Sequence, residues 1–444
     1  MNTDYDALLF EQRMEAEEGA RLEKYKRGWL YYKGDQKRQL KVKAGQPDDN
    51  VILNMNRLIV DKSAAFLFGK EPVFELQEGE TTPAEEALDL IWQRNRKMTL
   101  LNEIALSGGI TGDVFVKMVP EEGRPPRLVN VPAEYCRAYW DTDDIDDVWR
   151  YRIQWVAADK NGKGVVRRQD IEKDNTRWQI TNLIAKGGQR WEPDAENPDI
   201  TWDYNWPPII HCQNLLCPGA YYGDADIEDV SEQDGINYIA SKIQRIIRYH
   251  QHPKTIGTGF KPGDVMVTED EVLILPSAES KLWNLEMQSD LSASLAFMDR
   301  LISWYLAGAR IPRVDPAVIN VGALSGFALR VLYGDLLEKT NVKQQTYGDM
   351  LKELNRRMLE LGGQGAENVT TIHWQDPLPK DSRAEAESDG FELDRGLASK
   401  ETIRARRGLN NEAELERLQA EQVSEGNVGA MLVRNWSQGQ GTEI

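Results

Sequence analysis

Histidine and cysteine are scarce in this chain, with four and three respectively among 444 residues. Thiols so few and odd in number (Cys136, Cys212 and Cys217) argue against a disulfide framework and fit a reducing compartment. Apolar runs are short: none approaches the ~18 residues that a membrane-spanning helix needs. Positive charge is in deficit, 54 Lys and Arg against 72 Asp and Glu, for a formal net charge of −18. That balance argues against a protein that grips phosphates over its whole surface. The opening stretch MNTDYDALLFEQRMEAEEGARLEKYKRGW reads as a charged helix, without the basic flank and apolar centre of a secretory signal. Internal repeats and low-complexity tracts are missing too.

What is present is globular in character. Hydrophobic residues make up 41% and charged residues 28%, and 13 Trp supply bulk for real cores. The length allows about two to four domains at ~100–200 residues each.

Patterning along the chain predicts a mixed α+β protein. Helices are expected over Tyr5–Tyr32, ending at Gly34, and over Asn54–Phe68, closed by Gly69 and Pro72. A short strand at Phe74–Leu76 precedes one helix from Pro83 to about Ser107. Glycines 108, 109 and 112 then lead into a strand, Asp113–Val119. Residues 127–215 read as mostly β, with strands at Val148–Val156 and Arg177–Leu183, and Asp159–Gly162 marks a turn. Seven of the 13 Trp fall between Trp140 and Trp206, as packing for that sheet.

Beyond Gly223 the periodicity turns helical. Ile227–His250 carries Ile236, Ile239, Ile243, Ile246 and Ile247 on one stripe and Lys242, Arg245 and Arg248 on another. Short β segments at Val265–Val267 and Val272–Leu275 flank the turn Thr268–Glu271. A second helix covers Leu291–Ala309 and stops before Pro312. The small-residue loop PRVDPAVINVGALS (312–325) introduces a helix expected from Gly326 to about Leu361, with a bend plausible at Gly334 or Gly348. A strand at Val369–Trp374, two helices around Gly396 and Gly408, and a tail expected to be mobile complete the chain.

No constellation for catalysis emerges. Gly108–Asp113 is not followed by Lys-Ser/Thr, so it lacks the phosphate-loop pattern, and neither G-x-S-x-G nor H-E-x-x-H occurs. His211 and Cys212 are strand neighbours pointing to opposite faces, and no second pair joins them and Cys217, so packing is expected rather than metal ligation. His250 and His252 suit a cationic helix end. The acidic run Asp141, Asp143, Asp144, Asp146 and Asp147 is one contiguous turn, whereas two-metal sites gather carboxylates from separate elements. Arg404, Arg406 and Arg407 form one compact basic patch, with a solvated or intersubunit helix face as its default reading. The residues alone point to a binding or structural protein with no cofactor and no metal.

Four stretches, in order, resemble the SPP1-like portal family of tailed bacteriophages. They are Tyr31–Gln36 (YYKGDQ); Asn54–Lys62 (NMNRLIVDK) continuing to Phe68–Val73; Val321–Gly326 (VGALSG) ahead of a very long helix; and Gly396–Thr402 with the later Glu412–Glu421 helix. The resemblance implies a portal fold with a helical and β wing, a two-helix stem, a small clip, a long kinked helix and a helical crown. It places the wing at 1–226, the stem helices at 227–250 and 289–311, the clip at 251–288, the tunnel loop at 312–325, the long helix and wing return strand at 326–379, the crown at 380–424 and the tail at 425–444.

Function follows from the same resemblance: a dodecameric ring at one capsid vertex, through which double-stranded DNA is packaged and ejected. Implied partners are the terminase large subunit and then a head-completion or tail adaptor at the clip, with the major capsid and scaffold proteins around the ring. The ring would be assembled in the host cytoplasm and carried in the virion. The implied DNA-facing loop residues are Arg313, Val314, Asp315, Val318, Ile319, Asn320 and Val321, with Lys242, Arg245 and Arg248 on the stem. Lys261, Glu269, Asp270 and Glu271 would be the docking residues of the clip. The competing readings are a metal-dependent nuclease using Asp143, Asp144, Asp146 and Asp147, and a capsid or scaffold component without a channel.

Overall fold

The computed structural model describes residues 3–45, 47–76, 82–158, 162–186, 190–227, 229–251, 255–258, 281–284, 291–314, 326–365, 367, 369–378, 382–406, 414–415 and 417–418. The chain divides into two units, Met1–Ile319 with Leu332–Pro377, and Asn320–Val331 with Leu378–Ile444.

In the first unit, α1 (Thr3–Lys33) and α2 (Met55–Phe68) come first, and Asn54 caps α2 by accepting from the Arg57 N–H at 3.1 Å. Strand β1 (Val73–Glu75) follows. The helix expected from Pro83 to Ser107 is two helices, α3 (Pro83–Arg94) and α4 (Lys97–Thr111). Thr82 and Glu85 open α3, with Pro83 in its first turn, where a missing N–H costs nothing. The break comes at Asn95 and Arg96, the latter in the left-handed region at φ 49°. Asn95 explains it: its amide donates to the Ile91 and Pro126 carbonyls, and its oxygen accepts from the Leu128 N–H at 2.7 Å. Periodicity runs straight through such a joint because both helices bury the same kind of face.

Gly108 and Gly109 lie inside the last turn of α4, and Gly112, at φ 94°, ends the helix directly ahead of the strand that begins at Asp113. Close packing requires both. A Cβ at Gly108 would sit 2.1 Å from the Tyr347 hydroxyl, and one at Gly109 would sit 2.7 Å from the Asp226 carboxylate.

Two antiparallel sheets follow. β2 (Asp113–Glu121) is central between β3 (Arg124–Val131) and the later β10 (Ile209–Gln213). The larger sheet orders β4 (Cys136–Trp140), β5 (Val148–Ala158), β6 (Gly164–Asp174), β7 (Arg177–Lys186) and β8 (Glu192–Pro193), with β9 (Ile200–Trp202) also on β7. Helix α5 (Ser231–Gln251) runs into β11 (Thr255–Thr258), which pairs antiparallel with β12 (Lys281–Asn284) ahead of α6 (Ser292–Gly308). α5 and α6 pack together.

The long helix is also interrupted. α7 (Gly326–Leu332) stops before Tyr333 and α8 (Gly334–Leu361) begins after it, so the break falls beside one of the two glycines named. Tyr333 instead stacks on Phe66 at 5.4 Å between ring centroids. Gly348 lies within an unbroken α8. α8 buries Tyr347, Met350, Leu351, Leu354 and Met358, a three- and four-residue stripe, in the main core shared with α2–α4 and both sheets. β13 (Thr371–His373) closes on β1. The second unit holds α7, α9 (Ser382–Asp394) and α10 (Lys400–Arg406). No described helix is long and apolar enough to cross a membrane.

Candidate functional site

The α5–α6 pair and the segment that follows it form the region where the sequence concentrates its expectations. α5 is held by an unusual polar face. Gln233, Asn237 and Ser241, four residues apart, are fully buried. Asn237 accepts from the Leu53 N–H at 2.9 Å and donates to Gln36 at 2.6 Å; Ser241 accepts from the Val51 N–H at 2.9 Å; Gln233 accepts from the Met55 N–H at 3.2 Å. These side chains take the place of a neighbouring strand, so residues 51–55 lie along a helix with their backbone groups satisfied. The apolar stripe supplies Ile236 and Ile243 to the same buried face.

One turn further on, Asp49 receives two arginines. Arg248 binds its carboxylate in bidentate fashion at 2.7 and 2.8 Å, and Arg245 reaches it at 3.1 Å. The hydrogen bond from Arg248 holds the Asp49 carboxyl below its ordinary range. Lys242 is exposed, its ammonium 5.3 Å from the centre of the Tyr238 ring. Two of the three basic residues named on the stem are thus engaged within the chain.

α6 ends in a Schellman motif. The Ile311 N–H donates to Leu306 at 2.8 Å and the Arg310 N–H to Ala307 at 2.9 Å, while Ile311 and Leu306 share a small core with Ile59 and Leu336. Arg310 occupies the left-handed position, φ 60°, where glycine is usual. Arg313 then folds back on α6, 2.5 Å from the Asp299 carboxylate and 2.9 Å from the Ser303 hydroxyl. That hydrogen bond holds the Asp299 carboxyl below its ordinary range. Val314 is half-buried. Asp315, Val318, Ile319, Asn320 and Val321, like Lys261, Glu269, Asp270 and Glu271, lie outside the described residues.

Behind this end of α6 sits a buried charge triad that sequence reasoning missed. Asp226 lies 2.9 Å from Lys339 and 2.7 Å from Lys343, with all three side chains at 5% exposure or less. Lys339 also donates to the Ala309 carbonyl at 3.2 Å, tying α8 to the end of α6. Burial opposes the charge on Asp226, but the two ammonium groups outweigh it and hold the carboxyl below its usual range. Burial pushes Lys343 down to about 8. The signal in sequence was two lysines four apart on an otherwise apolar helix face.

Asp113 is a second buried hub. It accepts from the Tyr25 hydroxyl, from the Gly223 N–H at 2.9 Å, and pairs with His211 Nε2 at 2.7 Å. His211 stacks on Tyr221 at 4.4 Å, and Cys212 points into the core, its thiol pushed up by burial. No disulfide involves Cys136, Cys212 or Cys217. The acidic turn forms two consecutive side-chain-to-backbone turns, with Asp141 accepting from Asp143 N–H and Asp144 from Asp146 N–H, both at 3.0 Å; Asp147 pairs with Lys173 at 2.8 Å. Among the described residues no cluster of His, Cys, Asp and Glu has the arrangement to hold a metal. Arg404 is half-buried on α10; the Arg406 side chain and Arg407 lie outside the described residues, as does His252.

A family profile described as "Phage portal protein, SPP1 Gp6-like" matches residues 11–427. No curated protein matches the chain. Among solved structures, a chain from the neck of an empty GTA particle, computed with C6 symmetry, is 14% identical. It has a TM-score of 0.45, covering 80% of this chain and 88% of that one. A chain from the neck of a native GTA particle, computed with C12 symmetry, is 11% identical at TM-score 0.42, covering 80% and 89%.

Proposed function

The chain belongs to the SPP1 Gp6-like phage portal protein family, and on that premise we propose that copies of it close into a dodecameric ring through which double-stranded DNA enters and leaves the head. As a phage portal protein it is a structural component of the virion and not an enzyme. The observation that carries the reading is the extent of the family match, residues 11–427, which takes in nearly every element described above.

In this reading the parts divide along the chain. The sheets with α1–α4 form the wing, α5 and α6 the stem, and the segment opening at β11 and returning at β12 the clip. Residues 312–325 are the tunnel loop, α8 the long helix, and α9 and α10 belong to the crown. Two features support it. α5 and α6 pack together and are joined through the antiparallel β11–β12 pair, the hairpin that a two-helix stem with a clip between its helices requires. The start of the loop is fixed to rigid parts by the Schellman motif, the Lys339–Ala309 bond and the Arg313–Asp299 pair. A loop that meets a moving duplex needs such a base. The terminase large subunit and later an adaptor would dock at the clip, and the major capsid and scaffold proteins would surround the ring.

Electron microscopy of the purified protein tests this. Rings with a central hole of at least roughly 20 Å, the width of a duplex, are expected. Solid or irregular particles would overturn the channel.

A further inference from the structure

One face of the larger sheet carries more positive charge than its own partners neutralise. By register, Arg137 on β4 stands opposite Arg152 on β5, Arg152 opposite Asp170 on β6, and Gln154 opposite Arg168. Like charges directly opposite on neighbouring strands are unfavourable. Asp170 offsets part of this: it takes Arg150 at 3.0 Å and Arg152 and Arg168 at 2.8 Å each, while Arg150 also reaches Glu172 at 2.8 Å. Tyr139 takes more, with Arg137, Arg150 and Arg152 at 4.9, 5.2 and 5.6 Å from its ring centre. Four guanidiniums still face two carboxylates, on a chain whose net charge is −18. Beside Arg137 and Tyr139 opens a cavity of about 740 Å³ walled by Trp140, Trp149 and Tyr222.

The same chain presents the complementary patch. Asp141, Asp143, Asp144, Asp146 and Asp147 are all exposed, and the cation paired with them among the described residues is Lys173 at Asp147. No described ion pair joins this turn to Arg137, Arg150, Arg152 or Arg168 within the chain. Two different, oppositely charged patches on one copy are complementary to those of a second copy. That is the head-to-tail contact a cyclic ring is built from.

We infer that the Arg137–Arg150–Arg152–Arg168 face is an interface that receives the Asp141–Asp147 turn of a neighbouring copy. The inference rests on the ring reading above. A duplex is the weaker occupant. Asp170 and Glu172 lie among the arginines, and Glu17 and Glu18 rim the adjoining cavity, so a continuous phosphate backbone would meet acid at each step.

Charge exchange tests it. Assembly of full-length protein is followed by mass photometry across subunit concentration for wild type, for Asp143→Lys/Asp144→Lys, for Arg137→Glu, and for the combination. The first variant alters exposed side chains only, and Arg137 is chosen because no described carboxylate depends on it; circular dichroism checks that each monomer is folded. Each separate variant should raise the half-assembly concentration about tenfold or more, and the combination should recover to within about threefold of wild type. Assembly like wild type in either separate variant overturns the interface, as does a combination no better than the worse of the two. Loss of duplex retention in Arg137→Glu with assembly unchanged would assign the face to phosphate and overturn it as well. A wild-type protein that stays monomeric fails the ring reading itself, a result distinct from these.

Discussion

At Asp226 a single carboxylate is buried between two ammonium groups, and the balance of charges decides what each side chain is worth. Three formal charges sum to one positive charge in the interior, which is costly unless shared. The site relieves this by the Lys339 bond to the Ala309 carbonyl and by the lowered proton affinity of Lys343, at about 8. Removing the acid and removing one base should therefore differ sharply. Asp226→Asn leaves two facing ammonium groups without a counter-charge and should cost about 3–5 kcal/mol of stability. Lys343→Met keeps the Lys339–Asp226 pair and fills the space with apolar atoms, so it should cost less than half as much. Urea denaturation of the two variants under matched conditions measures both; equal losses would show that packing, and not charge, dominates the triad. Lys339 and Lys343 sit four apart on an otherwise apolar helix face, but neither was legible as a buried group, because lysine is almost never fully buried unless paired and its partner Asp226 is remote in sequence.

On the scale of single elements, what the sequence displayed was apolar periodicity, and it failed where polar side chains do the packing. The five isoleucines of α5 were visible, but its deepest face also contains Gln233, Asn237 and Ser241. A polar stripe at four-residue steps normally faces water; here it serves the backbone of residues 51–55. The Pro83–Ser107 pattern hid a joint for a related reason, since Asn95 ends α3 through bonds to residues 126 and 128, which are remote in sequence. The end of α6 is different: the sequence offered Pro312 as a stop, while the turn is made by Arg310 in a conformation that costs a side chain about 1 kcal/mol relative to glycine. Arg310→Gly should then stabilise the protein by roughly 0.5 kcal/mol, the relief of strain being partly offset by the looser unfolded chain. Arg310→Ala should give no such gain. A higher urea midpoint for the glycine variant alone checks it, and equal midpoints for both would remove the strain from the account.

For the whole molecule, the family was legible because four weak motifs fall in the right order along the chain, a signal that no single side chain carries. The residues expected to meet DNA were less so. Arg245, Arg248 and Arg313 were implied as stem and loop residues by the resemblance alone, and the structure engages each with a carboxylate, Asp49 or Asp299. Pairing of that kind bears on how a conduit treats its cargo. Each cation that binds a phosphate releases counterions, and the observed affinity then falls with salt at a logarithmic slope of about −0.9 per contact. A protein of net charge −18, with Arg245, Arg248 and Arg313 already paired to carboxylates, should offer a duplex few such contacts. Retention of a short blunt duplex by the assembled protein should therefore be weak, with a salt slope shallower than about −2. Asp49→Asn, which frees Arg245 and Arg248 from their carboxylate, should steepen that slope by about one or two contacts if the pair faces the duplex path. Filter binding across a salt series measures both. A wild-type slope near −6 would mean a clamp and not a conduit, and an unchanged slope in Asp49→Asn would move those two arginines off the path of the DNA.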